Sequence, residues 1–261
     1  VRNSLRHHDV RIDATPPAHW GDRFSVTGRF TQPLLAESAD WKRWRGTVHA
    51  TLPGVDVRTL RQHATLPFDL TQGQGALRAW VDVVDGSVAA ATLDVALREV
   101  ALRLQPGLDP LGFAEVTGRL AGRQDERDTE LTVQQLGFVT SDGVRWPASN
   151  AALKWRRDGS GAVAGGELTA ERLDLALLTQ VVRRLPVGDG AHRLLADFDP
   201  HGTASDFSVR WDGVSNPVAG AAAASAASAA DAVALPPRYQ LRVNLSDLSL
   251  AAAPAADAQT A

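Results

Sequence analysis

Apolar and polar residues alternate with a period of two along most of the chain. Phe24, Val26, Gly28 and Phe30 alternate with Ser25, Thr27 and Arg29. Val48, Ala50 and Leu52 do the same, as do Leu77, Ala79, Val81 and Val83. So do Val100, Leu102 and Leu104, then Val116, Gly118 and Leu120. Near the end the pattern returns at Phe207, Val209 and Trp211, and at Tyr239, Leu241, Val243 and Leu245. Such alternation puts one residue set on each face of a sheet, so it predicts half-buried strands with one wet face. Further strands are predicted near 87–97, 129–139, 150–156 and 162–172.

Turn chemistry separates these runs: Pro53-Gly54, Asp85-Gly86, Pro106-Gly107, Asp142-Gly143 and Asp158-Gly159. Turns about ten residues apart fit an antiparallel meander. Helical signals are few. Asp56 to His63 is predicted to form two turns. Leu173, Leu177, Val181 and Leu185 predict a helix over 173–185, stopped by Pro186. Ala191 to Ala196 adds a third short candidate. The fold class is therefore mostly β: a long antiparallel sheet with two or three short helices.

This pattern leaves a coverage problem. Some ten or eleven strands carry an apolar face, and short helices cannot cover it. The sheet must close into a barrel, pack on a second sheet, or stay curled around an apolar ligand.

Composition narrows the functional classes. The chain has 261 residues, 44% of them hydrophobic, and a formal net charge of −3. Its 27 basic residues, of which only Lys42 and Lys154 are lysines, are dispersed among 30 acidic ones. That balance lacks the basic excess expected of a nucleic-acid partner. Cysteine is absent, which removes disulfides, thiol nucleophiles and thiolate metal sites. Methionine is absent even at position 1, so the chain is expected to be a fragment or a processed product. No run approaches the ~20 apolar residues that span a bilayer.

No catalytic, cofactor or metal motif emerges. His7-His8-Asp9 suggests a metal cluster, but neighbouring strand residues point to opposite faces, so it reads as a solvated N-terminal segment. The glycine-rich stretch Gly159 to Gly166 lacks phosphate-loop context and reads as a hairpin turn. Asp125 to Asp128 reads as a charged hairpin tip. The seven Trp are scattered, and Trp80, on the opposite parity from its apolar neighbours, is placed on the outer face. Residues 219 to 234 hold eleven Ala and no amphipathic face, so 219–237 is expected to be a flexible insertion. It divides a sheet segment over 1–218 from its continuation over 238–250, and 251–261 is expected to be a flexible tail.

Two stretches carry a resemblance. Between Trp44 and Pro147 lie WRGTVHATLPGVDV, GQGALRAWVDVVDGSV and LGFVTSDGVRWP in that order. Between Leu168 and Leu250 lie LTAERLDLALLTQVVRRLP, LLADFDPHGTASDFSVRW and YQLRVNLSDLSL. Their order resembles YhdP-type proteins of the AsmA-like superfamily. That resemblance implies a curved β-groove with a hydrophobic channel. It implies a periplasmic protein anchored in the inner membrane by an N-terminal helix outside this chain. It further implies phospholipid acyl chains as the partner, transport of phospholipid towards the outer membrane, and no catalytic residues. The residues expected to line such a groove are Phe24, Val26, Leu77, Ala79, Val81, Val83, Leu102, Val209, Leu241 and Val243. Two alternatives stay open: a scaffold whose sheet closes on itself, and a carbohydrate-active β enzyme using acids such as Asp82 and Glu99.

Overall fold

The computed structural model describes residues 2–4, 6–17, 21–33, 41–58, 69–103, 110–182, 195, 197–213 and 238–251. They form one sheet of twelve strands in which every strand pairs with its sequence neighbours. The strands are β1 (Arg2–Asn3), β2 (His7–Ala14), β3 (Phe24–Thr31), β4 (Arg45–Asp56), β5 (Asp69–Val84) and β6 (Ser87–Arg103). They continue as β7 (Leu111–Gln124), β8 (Asp128–Thr140), β9 (Arg145–Arg157), β10 (Val163–Asp174), β11 (His201–Asp212) and β12 (Arg238–Ser249). All pairings are antiparallel. β1 and β12 do not meet, so the sheet is curved but unclosed.

Its curvature comes from β-bulges. Ladder registers slip by one residue at Leu52/Val55, between β5 and β6, at Phe113/Glu115, at Val133/Leu136, at His201/Thr203 and at Ser205/Ser208. Glu99, Gln135, Asp206 and Asp247 sit at these irregularities with φ of 53°, 50°, 50° and 55°. A bulge bends its strand and increases local twist, so bulges repeated on successive strands curl the sheet. Each extra residue also resets the alternation. Leu97 and Val100 end up on one side, as do Val133 and Leu136. Pro53-Gly54 is thus not a turn but an irregularity inside β4.

The sheet has two margins. The tip margin carries the hairpin tips 85–86, 125–127 and 158–162. Asp85-Gly86 and Asp158-Gly159 turn there as expected, and Asp125 accepts the backbone N–H of Arg127 and Asp128. The opposite, helix margin carries the Asp142-Gly143 turn and α1 (Leu175–Val182). α1 starts two residues later than predicted, because Leu173 and Asp174 finish β10. Asp174 caps the helix, accepting the N–H of Leu177 at 3.0 Å. The buried face of α1 is Thr179 and Val182, not the Leu177/Val181 stripe, whose residues are half-buried. The other predicted helices are described only at 56–58, where Asp56 ends β4 instead of belonging to a helix, and at 195. The 219–237 insertion, Pro106-Gly107, Leu185 and most of the tail lie outside the described residues.

His7 to Ala14 corrects another expectation. It is strand β2 rather than a solvated segment, and His8 is buried under Trp44, the rings stacked nearly parallel with centroids 4.1 Å apart.

Candidate functional site

The two faces of the sheet differ sharply, and the register shows it. On one side lies a row built from single residues of successive strands: Val10, Gly28, Val48, Val81, Ala91, Gly122, Leu131, Leu153, Leu168, Val209 and Leu241. Every member is apolar. One step along the strands runs a parallel row: Ile12, Val26, Ala50, Ala79, Leu93, Leu120, Val133, Ala151, Ala170 and Phe207. The opposite face carries Asp9, Arg29, Thr47, Asp82, Ala90, Arg123, Glu130, Lys154, Glu167, Arg210 and Gln240 in register.

The polar face is occupied with itself. Lys154 pairs with Glu130 at 3.0 Å, Arg210 with Glu167 at 3.1 Å and Arg119 with Asp94 at 2.6 Å. The Arg119 guanidinium holds the Asp94 carboxyl below its usual value, chiefly by hydrogen bonding to it. Trp80 is on this face, as its parity implies. It lies between His49 and Thr92, with Arg119 5.6 Å above its ring. A hollow of about 690 Å³ on this side is walled by the same ion-paired Glu130, Lys154, Glu167 and Arg210.

Nothing among the described residues covers the apolar face in the same way. Among the described residues only ten hydrophobic side chains are buried. Half of them form one cluster near the helix margin: Val57, Leu97, Val100, Leu111 and Phe113. Leu77 and Leu102 pack against it, and Phe138 meets Phe113 edge-on at 5.1 Å. Elsewhere on this face most side chains are half-exposed, with Ala170, Ala204 and Trp211 buried, and on β12 Tyr239, Leu241 and Leu245 are 54, 54 and 49% exposed.

The ten groove candidates all lie on this one side. Phe24, Val26, Leu77, Ala79, Val81, Val83, Val209, Leu241 and Val243 reach it by simple alternation. Leu102 reaches it only because the bulge at Glu99 resets the parity of β6. Sequence reasoning missed the members contributed by β8 to β10, notably Leu131, Leu153 and Leu168. Their strands had been located near 129–139, 150–156 and 162–172, but the interior positions were not assigned to a face.

The acidic pair considered for glycoside chemistry is not brought together. Asp82 opposes Ala90, whereas Glu99 is nine residues further along β6. At about 3.3 Å per residue that separation is about 30 Å, beyond the span of any two-carboxylate mechanism. Among the described residues no cluster of three or more His, Asp or Glu could hold a metal. None of their helices is long and apolar enough to cross a membrane.

Residues 1–255 match the family described as YhdP protein. No curated protein matches the chain, and no solved structure does.

Proposed function

The chain belongs to the YhdP family, and from that premise we propose that its apolar face is a groove for phospholipid acyl chains. The family is AsmA-like and associated at a coarse level with lipid transport. The observation that carries the reading is the unbroken apolar row from Val10 to Leu241 on a sheet that, among the described residues, neither closes nor receives a second layer. Burying a methylene is worth ~0.8 kcal/mol, so a sixteen-carbon chain gains on the order of 10 kcal/mol before entropic costs. Near-identical aliphatic contacts repeat at every strand, so no single station holds a chain much more tightly than the next. Such a surface suits passage rather than storage.

In this reading the segment works in the periplasm of a Gram-negative envelope, in a protein tethered to the inner membrane, and contributes to phospholipid movement towards the outer membrane. The test is to purify the chain from a bacterial envelope fraction and measure bound lipid by native mass spectrometry. Stoichiometric phospholipid supports the groove. Lipid-free protein that also fails to take up added phospholipid favours a scaffold.

A further inference from the structure

The two margins of the apolar face are chemically unlike. At the helix margin the groove side is hydrocarbon: Val57, Leu97, Val100, Leu111 and Phe113 are buried together. Three of the described polar side chains there are satisfied within the protein. Trp146 donates its indole N–H to Ser149 at 3.2 Å, Thr140 bonds Asp142 and Val144, and Thr179 donates to the Leu175 carbonyl.

At the tip margin the same side carries amphipathic groups: His8, Trp44, Thr129, Trp155, Trp211 and Tyr239. Trp211, 1% exposed, has an indole Nε1–H with no acceptor, and Trp44 has another. A buried donor without an acceptor is a standing cost to the fold. Aromatic residues with one apolar body and one N–H or O–H are the kind that settle where hydrocarbon meets polar groups. Between the margins the surface is aliphatic. From Tyr239 to Leu245 along β12 it runs about 20 Å at 3.3 Å per residue, comparable to an extended fatty acyl chain.

We propose that the groove is polarised across its width: a bound amphiphile lies along the strands with its tail towards the helix margin and its ester and phosphate oxygens at the tip margin. There the indole N–H groups of Trp44 and Trp211, buried and without an acceptor, are the donors that a headgroup oxygen would satisfy once the rings shift to admit it. This rests on the acyl-chain reading above and adds an orientation that a uniform apolar trough would not impose.

The chain has no cysteine, so single labelling sites are clean. Tyr239→Cys and Leu245→Cys place a bimane fluorophore at either end of the aliphatic span of β12, both at half-exposed positions. Phosphatidylcholine is then bound carrying a nitroxide on its headgroup, or at carbon 16 of one chain. The headgroup nitroxide is expected to quench bimane at 239 at least twofold more than at 245, and the chain-end nitroxide to do the reverse. Equal quenching at both positions, or the opposite order, overturns the orientation while leaving acyl-chain binding intact. Absence of quenching by either lipid at either position overturns the orientation together with the groove reading beneath it. A second variant pair guards the donors: Trp44→Phe with Trp211→Phe removes both N–H groups and keeps a smaller aromatic ring at each position, so any effect of lost ring area is read from the apolar dye. Its affinity for phosphatidylcholine is expected to fall at least fivefold, with binding of the apolar dye N-phenylnaphthylamine unchanged. An equal loss for both ligands would assign the rings a packing role only and overturn the donor assignment.

Discussion

The indole of Trp211 occupies the space that a β-carbon on Gly166 would need. The two residues face each other across β10 and β11, and the six-membered edge of the ring meets that position. Trp155 opposes Gly166 from the other side. The glycine is therefore a seat for a large side chain rather than a turn residue, and Gly166→Ala must push the ring or the strand. Overpacking of this kind costs about 1–3 kcal/mol. A urea unfolding curve of Gly166→Ala should show a lower midpoint with an unchanged slope. An unchanged midpoint would mean the ring has room to move.

Glu99 adopts φ of 53°, a conformation that L side chains enter at a cost of about 1–2 kcal/mol. It is held there by the register slip between β5 and β6. Glu99→Gly should leave the protein as stable or more stable. Glu99→Ile should lower stability by about 1–2 kcal/mol, because β-branching adds to the backbone strain. Thermal melts of the pair give the comparison directly, and equal melting temperatures would remove the bulge from the account of the sheet's curvature.

These bulges mark the boundary of what was legible in the sequence. Period-two runs and turn spacing locate β3 to β12, though not β1 and β2, together with their one-sided character and the parity of Trp80. The ten groove candidates are read from alternation within single runs, which does not show how one run is phased against the next. Leu102, Val100 and Phe113 sit beyond a parity reset, and no local signal announces one: Glu99, Gln135 and Asp206 look like ordinary outward-facing polar residues. Pro53-Gly54 resembled a turn for the same reason, since a bulge and a turn use the same residues. His8 was misread because its partners Trp44 and Gln32 are distant in sequence and become neighbours only through β2–β3–β4 pairing.

Asp94 and Arg119 form a two-bond contact, at 2.6 and 3.0 Å, across β6 and β7 on the polar face. The arginine lowers the Asp94 pKa below its ordinary value of 3.8. A carboxyl whose folded pKa is depressed contributes stability above the unfolded value, and that contribution is lost as pH falls through the folded one. Stability should therefore decline below about pH 4 with a share that depends on this pair. Arg119→Ala should flatten that acid limb. An acid limb of identical steepness in the variant would show that the contact is without energetic weight, as exposed pairs often are.

Asp174 closes β10 and caps α1 in consecutive steps, its Oδ1 accepting the N–H of Leu177. Removing an N-cap costs about 0.5–2 kcal/mol. Asp174→Ala should show that loss, and Asp174→Asn, which keeps the acceptor, should recover most of it. If both variants lose stability equally, the carboxylate's charge rather than its hydrogen bond fixes the start of the helix.

Val81 distinguishes a groove from a closed core. It sits mid-strand in the apolar row, opposite Val48 on β4 and Ala91 on β6, and is half-buried. In a closed core Val81→Asp would leave a carboxylate without water or partner, at about 3–5 kcal/mol. In an open groove the carboxylate reaches solvent, and the fold survives with a melting temperature lowered by only a few degrees. In such a groove a bound acyl chain would fare differently, because a hydrated charge now interrupts the aliphatic row on β5. Val81→Asp should therefore be folded and depleted of co-purifying phospholipid. Val81→Leu, which keeps the surface apolar, should retain it. Asp82→Asn, one residue away on the polar face, should change neither quantity. A Val81→Asp protein that unfolds, beside a wild type that never carries lipid, would assign the apolar face to internal packing and end the groove reading.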